Sequence, residues 1–192
     1  EDRIKDTRIM KLFKHHPMFV FGLFSLLAYE IAEISINSYF INFVTGQGWM
    51  DDNSASMVLT VALGFFMVGR FLGSWIMRRI PAERMLMYCS LGSVSCLGVV
   101  LLDIGHWSRY ALIANYLFEA IMFPTIFSLS LQGLGNLTKS ASSLLMMTPI
   151  GGCFFLLMGY VADQTNLVVP FLIPFIGYFI VLLYASELSR KS

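Results

Sequence analysis

Glu30, Glu33 and Asn37 recur at spacings of three and four, and Asn115 and Glu119 at a spacing of four, so a helix would carry each set on one face. All five sit inside long apolar runs. A carboxyl or amide in such surroundings can hydrogen-bond a hydroxylated ligand. Desolvation favours the neutral form of an acid, which could let Glu33 or Glu119 carry a proton. The same side chains could instead join helices, a glutamate meeting Arg70 or a serine on a neighbour. Arg70 lies between Gly69 and Gly73, two small residues four apart that permit a close helix crossing, so it is read first as a brace or a gate. The groups that catalysis would need are not arranged. His15, His16 and His106 fall at the edges of apolar runs, whereas intramembrane serine and zinc proteases need histidine at depth. No glycine-rich phosphate cradle occurs, and Cys89, Cys96 and Cys153 lie in apolar stretches with no pairing or metal-ligand spacing, as small packing residues would. No enzyme activity, cofactor, metal or nucleic-acid partner is expected.

The elements that must hold these faces follow from composition. The 192 residues are 57% hydrophobic and only 13% charged, where soluble domains carry roughly 25% charge. Mean hydropathy is +0.71, and the bilayer is the solvent that fits. A helix needs about 20 mostly apolar residues to cross the hydrocarbon layer. Six stretches qualify, at residues 17–44, 54–77, 84–103, 109–132, 140–162 and 168–187, with turn-forming breaks between them. An outer-membrane barrel would instead alternate over about 10 residues. The expected fold class is therefore all-α, a six-transmembrane-helix bundle.

Basic residues set the orientation. With the N-terminus inside, Arg3, Lys5, Arg8, Lys11, Lys14, Arg78, Arg79, Arg84, Lys139, Arg190 and Lys191 are cytoplasmic, 11 of the 13. Arg109 falls outside and Arg70 within the second span. Residues 1–16 read as the end of a cytoplasmic linker and 188–192 as a cytoplasmic tail. The chain begins without an initiator Met or a cleavable signal pattern, which fits a fragment of a longer protein. Trp49 and Trp107 fall at the outer ends, where an interfacial aromatic belt belongs. Pro124 and Pro149 lie inside the fourth and fifth spans and invite kinks. Tyr29, Tyr39, Phe118, Phe123 and Phe127 could stack on a sugar ring, although in a chain with 15% aromatics most belong to the core or the lipid face.

Several segments resemble one family. Residues 29–43, YEIAEISINSYFINF, are similar to the seventh helix of the fucose–galactose–glucose group of proton symporters in the major facilitator superfamily. Residues 69–80, GRFLGSWIMRRI, resemble the end of the eighth helix and its basic cytoplasmic turn. Residues 121–135, IMFPTIFSLSLQGLG, resemble the tenth helix, and Gly151-Gly152 with residues 159–163, GYVAD, continue the likeness into the eleventh. The resemblance implies a twelve-helix parent of two six-helix halves, each built of 3+3 inverted repeats, with this chain as the C-terminal half. It implies uptake of a monosaccharide with a proton by alternating access, in a bacterial inner membrane, beside an N-terminal six-helix partner half. By that analogy Glu33, Asn37, Asn115 and Glu119 face the substrate cavity, while Glu30, Arg70, Arg78 and Arg79 serve gating or structure. Two departures stand out. The group more often has an amide at the position of Glu119, and Met77 stands about where the superfamily's loop signature has an aspartate. The rival expectations are a half with another small polar substrate, or a six-helix membrane scaffold.

Overall fold

The computed structural model describes residues 2–191, with side chains from 9 to 190. Glu1 and Ser192, and the side chains of Arg3, Lys5, Arg8 and Lys191 in the expected linker and tail, lie outside the described residues. Helix α1 (Asp2–His15) occupies the stretch expected as a linker end, and His16 joins it to α2 (Pro17–Gly46). Proline suits the first helical position of α2, because its missing N–H would have no partner there and its φ is already helical. There follow α3 (Asp52–Ile76), α4 (Ala82–Leu101), α5 (His106–Ser130), α6 (Thr138–Leu145), α7 (Phe155–Gln164) and α8 (Leu172–Lys191). Among the described residues six segments are long and apolar enough to cross a membrane: α2, α3, α4, α5, Gly135–Gln164 and Val169–Arg190. At about 1.5 Å per residue, the 30 residues of α2 span about 45 Å, so α2 crosses a hydrocarbon layer of about 30 Å tilted or with its ends in the headgroups.

The fifth span is composite. Between α6 and α7 the backbone tightens into a 3-10 helix over Thr148–Phe154, with Pro149 in its first turn. Proline lacks the N–H that an α-helix interior needs, and the following Gly151 and Gly152 weaken helix propensity further. Pro124 has a milder effect, because α5 continues through it. Cys153, on the 3-10 segment, is exposed, whereas Cys89 is buried and Cys96 half-buried, so the expected packing role does not extend to Cys153.

Helix α2 is the hub, touching α8, α5, α3 and the 3-10 segment, while α4 packs between α5 and α8. Its core is aromatic: Tyr29, Phe40 and Phe43 of α2 meet Tyr116 of α5, Phe171 and Tyr178, all fully buried. By contrast α3 buries only Ala55, Ala62, Gly69 and Gly73, all small residues that let it lie close to α5. Gly177 marks the closest approach of α8 to α2, where a Cβ would stand 2.7 Å from the Ala28 carbonyl oxygen. Backbone cannot yield as a side-chain tip can. Gly177→Ala is therefore expected to destabilise the bundle by about 1–3 kcal/mol through overpacking. Gly98→Ala, where a Cβ meets nothing within 4 Å, should be neutral or gain about 0.5–1 kcal/mol from helix propensity. Thermal unfolding midpoints of the two variants in detergent check this contrast.

Candidate functional site

Where α2 passes α5 and α8, three spans converge on one acid. Asn115 and Glu119, one helical turn apart on α5, are both fully buried. Asn115 Nδ2 donates to Glu119 Oε2 at 2.9 Å, and the hydroxyl of Tyr178 on α8 donates to the same oxygen. Glu119 Oε1 and Asn115 Oδ1 are buried without a hydrogen-bond partner among the described residues. A bare carboxylate oxygen in an apolar interior is costly, whereas a carboxylic acid carrying its proton there is much less so. The arrangement suits an acid that holds a proton and is clamped through its other oxygen.

Tyr29 connects this acid to a second one. Its hydroxyl, fully buried, donates to the backbone carbonyl of Glu119 at 2.9 Å. Glu33, one turn further along α2, is only half-buried and interacts with that hydroxyl. A phenol has one proton. That proton can go to the Glu119 carbonyl or to a Glu33 carboxylate, so Tyr29 stands between the two acids. Asn37 continues the same face of α2, half-buried, with its Oδ1 shielded and lacking a partner among the described residues. The expected four residues thus divide in two: Glu33 and Asn37 lie at the margin of the bundle, and Asn115 and Glu119 lie inside it against α8.

The remaining charges lie around this core. Glu30 is 6% exposed, on the side of α2 toward α3. Arg70 of α3 is exposed, with its guanidinium 4.8 Å from the Phe66 ring centroid. It lies within electrostatic reach of both Glu30 and Glu33 but closes no ion pair with either among the described residues. Arg78 and Arg79 are exposed in the turn after α3, and Arg79 lies 5.6 Å over Trp75. Among the described residues no cluster of histidine, cysteine or acid could hold a metal ion.

Sequence reasoning singled out the acids and amides but not Tyr178 or the bridging role of Tyr29. Tyr178 is one aromatic in a long apolar span, and no spacing rule links residues 119 and 178. Tyr39, named for ring stacking, is core: it is 5% exposed and donates to the Leu167 carbonyl at 3.3 Å. Tyr178→Phe is expected to cost about 0.6–1.7 kcal/mol, the range of interhelical hydrogen bonds in membranes. A double-mutant cycle with Glu119→Ala on unfolding midpoints checks it, a coupling near zero meaning that the two groups do not bond.

Comparison with known proteins follows the same lines. No protein-family model matches the sequence. A glucose/galactose transporter of Brucella abortus is 33% identical over 175 residues, covering 90% of this chain and 42% of that protein. The L-fucose-proton symporter of Escherichia coli K12 is 30% identical over 167 residues, covering 85% and 38%. The chain thus spans less than half the length of these relatives. A crystal structure of FucP, a major facilitator superfamily transporter in its outward conformation, superposes with a TM-score of 0.89 at 28% identity, covering 95% of this chain and 44% of that one. A peptide transporter of 16% identity also superposes, with a TM-score of 0.79, and shows the fold alone. Six apolar spans, the shared fold and these relatives make the chain similar to glucose/galactose and L-fucose transporters of the major facilitator superfamily, over a length consistent with the C-terminal half of one.

Proposed function

We propose that the chain is the C-terminal half of a secondary transporter that takes up a monosaccharide together with a proton. The observation that carries this reading is the pair of acids on adjacent spans, Glu119 buried and Glu33 at the bundle margin, linked through Tyr29. A proton site must be shielded enough to hold its proton and near enough to water to exchange it. Glu33 meets both demands, and Asn37 beside it offers an amide to sugar hydroxyls. Glu119 holds α5 to α8 through a protonated carboxyl. The relatives' names point to glucose, galactose or L-fucose as the sugar. The N-terminal half of the parent chain supplies the opposite wall of the cavity. The basic bias orients the bundle with both termini cytoplasmic in a bacterial inner membrane.

Uptake of radiolabelled L-fucose, galactose and glucose by cells expressing the full-length parent tests the reading. Uptake of one sugar that a proton uncoupler abolishes is the expected result. Sugar uptake indifferent to the uncoupler would remove the proton. No uptake of any of the three would remove the sugar and leave the transporter fold.

A further inference from the structure

A second polar region lies away from the acids. Helices α2 and α7 touch, and both end on the side of the bundle that holds the α2–α3 turn, the end placed outside by the basic bias. Between them is a cleft of about 410 Å³, lined by Ser38 and Asn42 of α2 and by Phe155, Gly159, Tyr160 and Asp163 of α7. Ser38 and Asn42 are one helical turn apart, on a different face of α2 from Glu33 and Asn37. Ser38, Asn42, Tyr160 and Asp163 are all exposed. Lipid at this face would set an amide and a carboxyl against hydrocarbon, which costs several kcal/mol each. The cleft therefore meets water and whatever water carries.

Its chemistry is that of carbohydrate recognition. Asp163 accepts from hydroxyls, Asn42 both donates and accepts, and Ser38 does either. The Tyr160 ring, 64% exposed, offers a flat apolar face for the C–H side of a pyranose. Gly159 keeps the floor open, since a Cβ there would meet nothing within 4 Å. The rear wall is fixed: Tyr39 is pinned to the Leu167 carbonyl, and its ring stands 5.7 Å from that of Phe171. An open-floored cleft that sets three hydrogen-bonding side chains in a largely apolar lining with an aromatic rim fits a small polyol, which has both hydroxyls and C–H faces.

We infer that this cleft is an outer vestibule subsite for a monosaccharide, engaging its hydroxyls through Asn42, Ser38 and Asp163 before the sugar reaches the Glu33 face. The inference rests on the sugar-transport reading above and adds a second place where the sugar is held. It also gives α7 a role in capture, separate from proton coupling.

The test uses the full-length parent in proteoliposomes, with initial-rate uptake of the transported sugar and the proton-to-sugar ratio both measured. Gly159→Leu fills the cleft without meeting its own fold, and Asn42→Ala removes one hydrogen-bonding group. Both are expected to raise KM about tenfold or more while kcat and the proton-to-sugar ratio stay at wild-type values. Should Gly159→Leu fail to fold, as its unfolding midpoint would show, Asn42→Ala and Asp163→Asn carry the same expectation. Wild-type KM in these variants would overturn the subsite with the transport reading intact. Reduced kcat at unchanged KM would also overturn it, making the cleft a moving contact rather than a binding place. Failure of the wild-type parent to take up any of the three sugars would instead strike the transport reading, and the subsite with it.

Discussion

Glu119→Ala in the full-length parent is expected to lower stability by about 2–4 kcal/mol and to abolish uptake, whereas Glu119→Gln should keep the fold. The alanine strands two donors. Asn115 Nδ2 and the Tyr178 hydroxyl both end on Glu119 Oε2 in a fully buried site, and each membrane hydrogen bond lost in this way costs about 1–2 kcal/mol at the upper end of what is measured. Glutamine retains a carbonyl oxygen that can accept from Tyr178. If Glu119 is a clamp, the amide variant keeps most of its uptake, and its unfolding midpoint drops by no more than the one altered bond requires. Loss of proton-driven uptake in Glu119→Gln, with sugar counterflow preserved, would instead make Glu119 the proton carrier and displace Glu33 from that role.

Glu33→Gln carries the opposite expectation. Uphill, proton-driven uptake should fall at least a hundredfold, or about 2.7 kcal/mol at 1.36 kcal/mol per decade, with expression and unfolding midpoint unchanged. The reason lies in exposure. Glu33 is half-buried and contributes no interhelical clamp of its own, so its loss leaves the packing of α2 on α5 and α8 intact. Removing the titratable group ends proton exchange, while sugar exchange down its gradient continues because Asn37 and the opposite half still bind. Normal uphill uptake in Glu33→Gln would take proton coupling off this half altogether.

The six-span bundle could be read from the chain because its signals are additive. Run length, hydropathy and the placement of basic residues each sum over many residues, so no single side chain decides them. The site was legible only as far as helical spacing reaches. A spacing of four correctly joins Asn115 to Glu119, whose side chains bond at 2.9 Å. It cannot say that this face turns inward to α8, because Tyr178 is 59 residues away from Glu119 in sequence. Arg70 shows the same limit. Its place within an apolar run suggests a buried brace, yet the residues that α3 buries fully are all small, and the guanidinium is left exposed beside Phe66. Residues 1–16 read as the end of a cytoplasmic linker from their charge alone, which does not reveal that residues 2–15 are helical and seat Leu12 in the core.

The tight turn in the middle of the fifth span acts as a phase corrector. An α-helix advances about 100° per residue, a 3-10 helix about 120°. From Leu145, which is buried, to Met158, also buried, an unbroken α-helix would leave the two side chains about 140° apart. The seven residues of Thr148–Phe154 add about 140° of extra winding and bring them back onto one line. The same segment lengthens the span by about 3–4 Å, at about 2.0 Å of rise per residue against about 1.5 Å. A helical wheel drawn through the whole span would therefore misassign every face beyond Phe154, Tyr160 and Asp163 among them. Returning this stretch to regular α-helix would rotate the vestibule wall away from α2, so the cleft owes its orientation to a change of winding rather than to any residue that lines it.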